Sequence, residues 1–404
     1  MPKRRRFSNR RLFIPLHRFH RIASAIAALL ICLAAGVPQG FCQHQVSAEP
    51  VRIVAIFSQT GIAANHNEPL IPMVQLAVEE INRSGGVNGR LIQLILLDNQ
   101  STPIGSRVAA EEAVRLGATA VVGAHWSSHS LAMAPVLQAA GIPMISPGST
   151  NPDVTRIGRF IFRACFLDSF QGVAMATFAY QDLGARTAAV VQNIDEAYSV
   201  MLADYFKTAF AETGGRVLLD EGYRGKAIDF SSIINKIKPG RPDVIYLPGY
   251  TRDSGLFIKQ AAGMGVSGIF LGGDAWDEIE EIAGDAINGS YQAAPWHQRV
   301  PFPRSLYLQN LYRRKFLQEV DNVSAPLAFD AVMLLADAMG RAESLAGEHV
   351  RRALADTADF QGATGVFRFD KNGDPRSKDV IIIKFEAGQR IFHKTIRPMA
   401  PSGE

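Results

Sequence analysis

Cysteine is scarce in this sequence, and its few occurrences are unevenly placed. The 404 residues include three cysteines: Cys32 and Cys42 lie within the first 48 residues, and Cys165 stands alone in the rest. If the chain is cut after residue 48, one cysteine remains and no intramolecular disulfide can form. A protein of more than 300 residues buries a core large enough to be stable without one. Beyond the N-terminal segment no apolar run approaches the ~20 residues of a membrane helix, so we expect the rest to be soluble.

Acidic residues are absent from the first 48 positions, which hold eight Lys or Arg. Without these eight, the 42 basic residues fall to 34 against 38 Asp and Glu, and the formal charge changes from +4 to −4. The pI of about 8.9 for the whole chain therefore gives no reason to expect a nucleic-acid partner. An apolar fraction of 47% with 20% charged residues is typical of a globular protein, here of two or three domains.

The basic start precedes a short apolar run, Ile22 to Val37, and then the small residues Val46-Ser47-Ala48. This order is typical of a secretory signal peptide, so residues 1–48 are predicted to be removed and the mature chain to begin at Glu49. An uncleaved membrane anchor is the alternative interpretation. Arg10-Arg11 also resembles a twin-arginine motif, which would give a different export route.

Strand-like and helix-like segments alternate along the mature chain. The predicted strands are 51–57, 91–97, 118–122, 143–146, 188–191, a segment near 217, 244–247 and 269–271; the predicted helices are 71–81, 108–116, 130–140, 171–183, 202–213, 231–237 and 255–262. This rhythm predicts an α/β protein with two consecutive units, parallel sheets and helices on both faces. Ligands of such sheets bind beyond the carboxyl ends of the strands.

Hydroxyl groups, glycines and aromatic rings are concentrated in the loops that follow the predicted strands. These loops are 58–61, 124–128, 147–151, 193–198, 248–250 and 272–276. Hydroxyls and backbone N–H groups at helix N-termini suit an anion, and a carboxylate, for which we single out Asp274, suits a cation. The loops therefore predict a site for a small polar or zwitterionic ligand.

Longer motifs carry a resemblance to a known family. They are Ala77-Val78-Glu79-Glu80-Ile81-Asn82, Gly85-Gly86-Val87-Asn88-Gly89-Arg90, Gly141-Ile142-Pro143-Met144-Ile145-Ser146-Pro147, Thr150-Asn151-Pro152, Asp229-Phe230-Ser231, Phe367-Arg368-Phe369-Asp370 and Asn372-Gly373-Asp374. Together, over about Val51 to Phe392, the sequence resembles the periplasmic solute-binding proteins of the branched-chain amino-acid type, with the type I periplasmic-binding-protein fold.

The resemblance implies two Rossmann-like lobes joined by three hinge crossovers, closing on a ligand. It implies a first lobe of residues 49–170 and 298–372, a second lobe of 171–297 and 373–395, and a tail of 396–404. It also implies a monomer in the periplasm that delivers an amino acid or related solute to the membrane subunits of an ABC permease. A sensor that presents its closed form to a receptor kinase is the alternative, and an enzyme is a remote third.

Site residues carry over from the resemblance position by position. In the first lobe, Ser127 and Thr150 match the residues that bind the ligand carboxylate, and Gly148 supplies a carbonyl for the ammonium; Ser149 lies between them. The second lobe of relatives contributes two tyrosines and an acidic residue that pairs with the ammonium. The matching residues here are Tyr198, Tyr250 and Asp274.

Departures from the family pattern leave the ligand open. His66 stands where relatives have a tyrosine, and Trp126 stands where some have a disulfide cysteine. We expect both rings, with His125 and Trp276, to face the cleft. An aromatic, amide-like or carboxylic-acid solute is therefore as open as leucine, isoleucine or valine.

Other motifs have simpler interpretations. The glycine-rich segment 263–268 follows a predicted helix and precedes a strand, the reverse of a dinucleotide site. His125 and His129 have zinc-like spacing without a third ligand, and 370–374 suits a β-turn better than a calcium loop. No nucleophile elbow, P-loop or HExxH sequence occurs. We therefore predict neither cofactor, metal nor enzymatic activity.

Overall fold

A computed structural model describes residues 49–266, 268–376 and 378–397, so the predicted signal peptide lies outside the described residues. The strands are β1 Val51–Phe57, β2 Ile92–Asp98, β3 Ala120–Gly123, β4 Met144–Ser146, β5 Ile161–Arg163, β6 Thr187–Asn193, β7 Arg216–Tyr223, β8 Val244–Leu247, β9 Ile269–Gly272, β10 Tyr291–Ala294, β11 Ala358–Gly362, β12 Gly365–Arg368, β13 Val380–Glu386 and β14 Gln389–Ile396.

The helices are α1 Ala64–Asn67, α2 Leu70–Arg83, α3 Pro103–Arg115, α4 Ser127–Ala140, α5 Asp153–Arg156, α6 Asp168–Thr177, α7 Ala197–Glu212, α8 Ser231–Ile237, α9 Thr251–Gly263, α10 Glu280–Ala283, α11 Pro303–Phe316, α12 Ala325–Arg341 and α13 Gly347–Ala355. Within the described residues no helix is both long and apolar enough to cross a membrane.

The first sheet contains five parallel strands in the order β2-β1-β3-β4-β5. Its central strands are apolar and almost fully buried, because helices cover both faces of the sheet. One face packs against α2 and α12, and the other packs against α3 and α4. Every strand therefore directs its carboxyl end toward the same edge.

The second sheet has seven strands in the order β14-β13-β10-β9-β8-β6-β7. The five strands β6 to β10 are parallel, and β13 and β14 add an antiparallel hairpin at the β10 edge of the sheet. The chain passes between the sheets three times: after β5, after β10, and between β12 and β13. The two α/β lobes joined by three crossovers are thus confirmed.

Element boundaries differ from the predictions where local sequence is ambiguous. The helix predicted over 171–183 begins at Asp168, and its α-helical part ends at Thr177, followed by a wider helical turn over Phe178–Asp182. The three-residue β5 was not predicted, because a strand this short has no detectable period; β4, which is equally short, was predicted only from its place in the alternation of strands and helices. The β13–β14 hairpin departs from the expectation of purely parallel sheets.

Arg163, at the end of β5, connects the crossovers to the loop that follows β4. Its side chain is fully buried. Nε donates to Asp374 Oδ1 over 2.6 Å, and the two terminal nitrogens donate to the carbonyl oxygens of Ser149 and Asn151. Arg163 Nη2 also donates to Thr155 Oγ1 at 2.9 Å. One guanidinium therefore holds the first crossover, the third crossover and a strand-end loop together.

We predict that Arg163→Met lowers the free energy of unfolding by about 3 to 5 kcal/mol, because it leaves a buried carboxylate and several carbonyls without their donor. Urea denaturation of the mature chain measures the change. Arg156→Met is the matched control, since Arg156 forms an exposed ion pair with Asp153 and should change little. Equal denaturation midpoints for the two variants would contradict the role of Arg163.

Candidate functional site

The first wall of the candidate site consists of loops at the carboxyl ends of β1, β3 and β4. Gly123, which ends β3, has a φ of 130°, and a Cβ there would lie 2.2 Å from the carbonyl oxygen of Ile56. Only glycine therefore allows β3 to approach β1 so closely before the chain turns to Trp126 and enters α4. Ser127 begins α4, and its Oγ accepts a hydrogen bond from the Asn151 backbone at 3.3 Å.

The loop after β4 is held from beneath by serine hydroxyls. Ser149 Oγ lies 2.8 Å from Ser130 Oγ and 3.1 Å from the carbonyl oxygen of His125. At Gly148 a Cβ would fall 2.2 Å from the His125 ring, so the glycine makes room for the imidazole. Ser149 therefore shapes the loop, whereas Gly148 and His125 reach the cavity described below.

The second wall carries a carboxylate that its neighbours hold in place. Asp274 follows β9, and its Oδ1 accepts hydrogen bonds from Tyr198 Oη at 3.0 Å and from Gln171 Nε2 at 3.1 Å. The backbone N–H of Asp274 donates to Gln171 Oε1 at 2.7 Å. Gln171 lies on α6, 103 residues away in sequence. The sequence analysis missed this clamp because no local pattern links the two positions.

The two walls touch across the cleft. The Trp126 ring stacks on Tyr250 with ring centres 3.7 Å apart and planes 12° apart. Ser128 Oγ donates to Glu196 Oε2 at 2.9 Å, and Asn151 Nδ2 donates to the carbonyl oxygen of Ala197 at 3.1 Å. The structure thus describes the arrangement in which both walls enclose the space between them.

Two cavities lie between the walls and share His66, Trp126 and Tyr250. The inner one, of about 10 Å³, is also lined by His125, Ser127, Gly148, Tyr198, Asp274 and Ala275. The outer one, of about 480 Å³, is lined in addition by Ile62, Asn65, Asn193, Glu196, Gly225, Lys226, Thr251, Arg252, Asp253, Asp277, Glu278, Glu281 and Ile282. A water molecule needs about 10 to 15 Å³ by this kind of measure, so the inner cavity has room for one water-sized group.

Burial dominates the electrostatics of the cleft. It raises the pKa of Asp274 to about 6 and the pKa of Glu196 to about 7, because a buried carboxylate loses hydration. Burial also raises the pKa of Asp168 well above its usual range, and the nearby Asp274 adds to that rise. His125 has its pKa lowered by burial and by the neighbouring His66 and His129, so its ring is neutral at pH 7.

Three side chains bring possible metal ligands together, although not the pair considered from spacing. Nitrogen or oxygen atoms of His66, His125 and Asp277 all lie within 4.8 Å of one another. Trp126 Nε1 donates to His66 Nδ1 at 2.6 Å, and an indole N–H can only donate. His66 must therefore carry its proton on Nε2, the nitrogen 2.8 Å from Asp277 Oδ2, so the lone pair that a metal requires is absent there.

Some predicted residues lie away from both cavities. Trp276 is fully buried in the core between the second sheet and its helices, 6.3 Å from the Phe385 ring, so the expectation that it faces the cleft is not met. Ser149 and Thr150 are also fully buried and line neither cavity. His129 packs against Trp126, with ring centres 5.4 Å apart.

The sequence analysis missed all five carboxylates that line the outer cavity, including two that lie in loops after strands. Asp277 lies three residues after Asp274 in the loop beyond β9, and Glu196 lies in the loop beyond β6. Their position after parallel strands was a usable signal, and Asp274 was nevertheless the one carboxylate singled out. The acidic character of this site is therefore stronger than expected.

Two α/β lobes that face each other across a ligand-sized cleft define a two-lobed solute-binding protein. The model of the family described as periplasmic binding protein matches residues 50–389. The chain belongs to this family, in its branched-chain amino-acid type. Membership implies a periplasmic location.

Three relatives illustrate the similarity. A leucine-binding protein of Thermotoga maritima is 34% identical, with a TM-score of 0.81 over 86% of this chain and 99% of that one. The branched-chain amino acid transporter substrate-binding protein of Streptococcus pneumoniae, solved with isoleucine, is 27% identical, with a TM-score of 0.81 over 86% of this chain and 100% of that one. The leucine-, isoleucine-, valine-, threonine- and alanine-binding protein of Pseudomonas aeruginosa is 28% identical over 90% of this chain and 96% of its own.

The raised pKa of Asp274 predicts a characteristic pH dependence of stability. The folded protein binds a proton at Asp274 up to about pH 6, whereas the unfolded chain releases it near pH 3.8, so this carboxyl lowers stability as the pH rises through that window. The Asp274→Asn variant lacks this titrating carboxyl, so we expect its stability relative to the original protein to increase by about 3 kcal/mol between about pH 4 and pH 7. Urea denaturation of both proteins across this pH range measures the difference.

Asp98→Asn provides a control of opposite sign. Burial alone would raise the pKa of Asp98, but hydrogen bonds from Thr60, Gln100 and Gln59 lower it. Its contribution to stability is therefore lost as the pH falls. A pH-independent stability difference for Asp274→Asn would contradict the assignment.

Proposed function

We propose that this protein captures a small polar solute, an amino acid or a related amine, between its two walls and delivers it to an ABC permease. The observation that carries the proposal is the ligand-sized cleft between strand-end loops of two separate sheets, with direct contacts across it. A ligand bound there touches both lobes, so it stabilises the closed arrangement over an open one.

The names of the relatives support the class of solute. The relatives from Thermotoga maritima, Streptococcus pneumoniae and Pseudomonas aeruginosa are named for binding leucine or other branched-chain amino acids, and the second is named as part of a transporter. These names favour delivery to a permease over presentation to a receptor kinase. They also favour binding without turnover.

At the inner cavity we assign the ligand ammonium to Asp274, which has a raised pKa and is held by Tyr198 and Gln171. The carboxylate of an amino acid would be directed toward Ser127 and Gly148 at the beginning of α4, which requires this cavity to widen, because it holds one water-sized group as it stands. The inner cavity accommodates one water-sized group, which suits a single ammonium. The remainder of the solute then extends past Trp126 and Tyr250 into the outer cavity.

The division into lobes and the export of the chain complete the proposal. A first lobe of 49–170 with 298–372 and a second of 171–297 with 373–395 would rotate about the three crossovers. Residues 1–48 would direct export and be removed before Glu49, and the mature protein would act as a monomer.

We predict that an α-amino acid or amine raises the thermal midpoint of the mature chain, starting at Glu49. A ligand at a hundredfold excess over its Kd stabilises the folded form by about 2.7 kcal/mol. Asp274→Ala should abolish the ligand-induced shift, measured against the free form of the same variant. Glu212→Ala is the control, because Glu212 is exposed at the end of α7, the helix that carries Tyr198.

The screen should include amino acids, aromatic acids, amides and polyamines. A shift produced only by acids without an amine, and retained in Asp274→Ala, would overturn the ammonium assignment. If no compound of the panel produces a shift, capture of this class of solute is wrong.

A further inference from the structure

Most of the space in the cleft lies in the outer cavity, whereas an aliphatic amino acid would need room around the groups that bind its ammonium and carboxylate. The inner cavity, to which the ligand ammonium is assigned, is narrowed by the Trp126 and His125 rings to about 10 Å³. The outer cavity measures about 480 Å³, within the range of about 300 to 1,000 Å³ that is usual for ligand pockets. Most of a bound solute must therefore lie in the outer cavity, whose lining determines what is bound.

Carboxylates outnumber cations in the outer lining. Glu196, Asp253, Asp277, Glu278 and Glu281 line it, against Lys226 and Arg252. Arg252 is already paired with Asp253 at 2.9 Å. Within the described residues, Glu196, Glu278 and Glu281 have no Lys or Arg within ion-pair distance, so no basic side chain is paired with these three carboxyl groups.

Asp277 is the most informative of these carboxylates. It is only 4% exposed, and neither of its oxygens forms a hydrogen bond within the described residues. His66 Nε2 lies 2.8 Å from Oδ2 but also forms no hydrogen bond, so the two groups are close without being aligned. A buried carboxylate whose neighbouring N–H is not aligned for a hydrogen bond costs free energy, which a well-placed donor supplied by a ligand would recover.

Glu196 lies on the same cavity and is in a similar position. Among the described residues, the one hydrogen bond to its side chain comes from Ser128 Oγ on the opposite wall. Burial raises the pKa of Glu196 to about 7, which is the response of a carboxylate that lacks a nearby positive charge. The Trp126 and Tyr250 rings line this cavity as well, and aromatic faces attract organic cations.

From this arrangement we infer that the transported solute is an organic cation that carries, besides the ammonium assigned to Asp274, a second positively charged amine or guanidinium in the outer cavity. Asp277 and Glu196 bind this second group, and Trp126 and Tyr250 contact the chain that connects the two ends. The inference rests on the proposed function and narrows its solute class. In this arrangement the hydrogen bond from Trp126 leaves His66 Nε2 protonated, so this nitrogen is a donor and not a metal ligand.

Two matched pairs of probes test the second charge directly by isothermal titration calorimetry. L-arginine and L-citrulline have nearly the same shape and differ in charge at the far end; putrescine and n-butylamine share one ammonium, and only putrescine has a second. We expect the more positively charged member of each pair to bind about 10- to 100-fold more tightly, the range for a charge-assisted hydrogen bond.

Asp277→Asn and Glu196→Gln keep the shape of each side chain and remove its charge. Each should reduce the preference for arginine over citrulline by about tenfold or more, whereas Glu212→Gln should leave it unchanged. Retention of the affinity for citrulline in the variants shows that they still fold and close. Glu196→Gln also retains an oxygen that can accept the hydrogen bond from Ser128. A reduced preference for arginine over citrulline would therefore not be caused by loss of that contact across the cleft.

The results separate failure of this inference from failure of the proposed function. Binding of leucine or isoleucine with equal or weaker binding of arginine and putrescine overturns the second cation and leaves solute capture standing. Equal affinities within both pairs also overturn it. If neither these probes nor the wider panel bind, both proposals are wrong.

Discussion

Arg163 is a guanidinium without solvent exposure, and its bonds join parts of the chain that lie more than 200 residues apart. It binds Asp374 in the third crossover, while its own strand leads into the first. Its other bonds go to the carbonyls of the loop after β4, which contributes Gly148 to the inner cavity. A buried charge is tolerated only when it is fully satisfied. The hydrogen bonds that satisfy Arg163 therefore fix both the loop that shapes one wall and the segments about which the lobes would move.

The two walls have different physical roles. The first wall contributes hydroxyls, backbone groups and the rings of His66, His125 and Trp126, whereas the second contributes almost all of the carboxylates. Trp126 is central because it stacks on Tyr250, donates to His66 and occupies space that a smaller residue would leave to the ligand. That single ring both restricts the inner cavity and forms a side of the outer one. Size and charge of the accepted solute thus depend on contacts between the walls.

Buried carboxylates make the free protein less stable than it could be. Asp274, Asp168 and Glu196 all have raised pKa values because burial removes their hydration. None of them has a Lys or Arg partner within ion-pair distance among the described residues. Such a cost is retained at functional sites, where a ligand supplies the missing charge. The unfavourable electrostatics of these carboxylates and the proposed affinity of the cleft for a cation have the same origin.

The sequence by itself determined the alternation of strands and helices, because burial on a sheet face imposes a periodicity on each segment. It also placed Tyr198, Tyr250 and Asp274 in loops that follow strands, which is where ligands of parallel sheets bind, and the three residues line the inner cavity. It could not show that Trp276 packs in the core, or that Gln171 clamps Asp274 from 103 residues away. Asp277 and Glu196 were visible as loop residues, but only the folded chain shows that they line the same cavity. Residue identity and spacing encode local structure, whereas packing between distant segments decides which side chains face each other across a cleft.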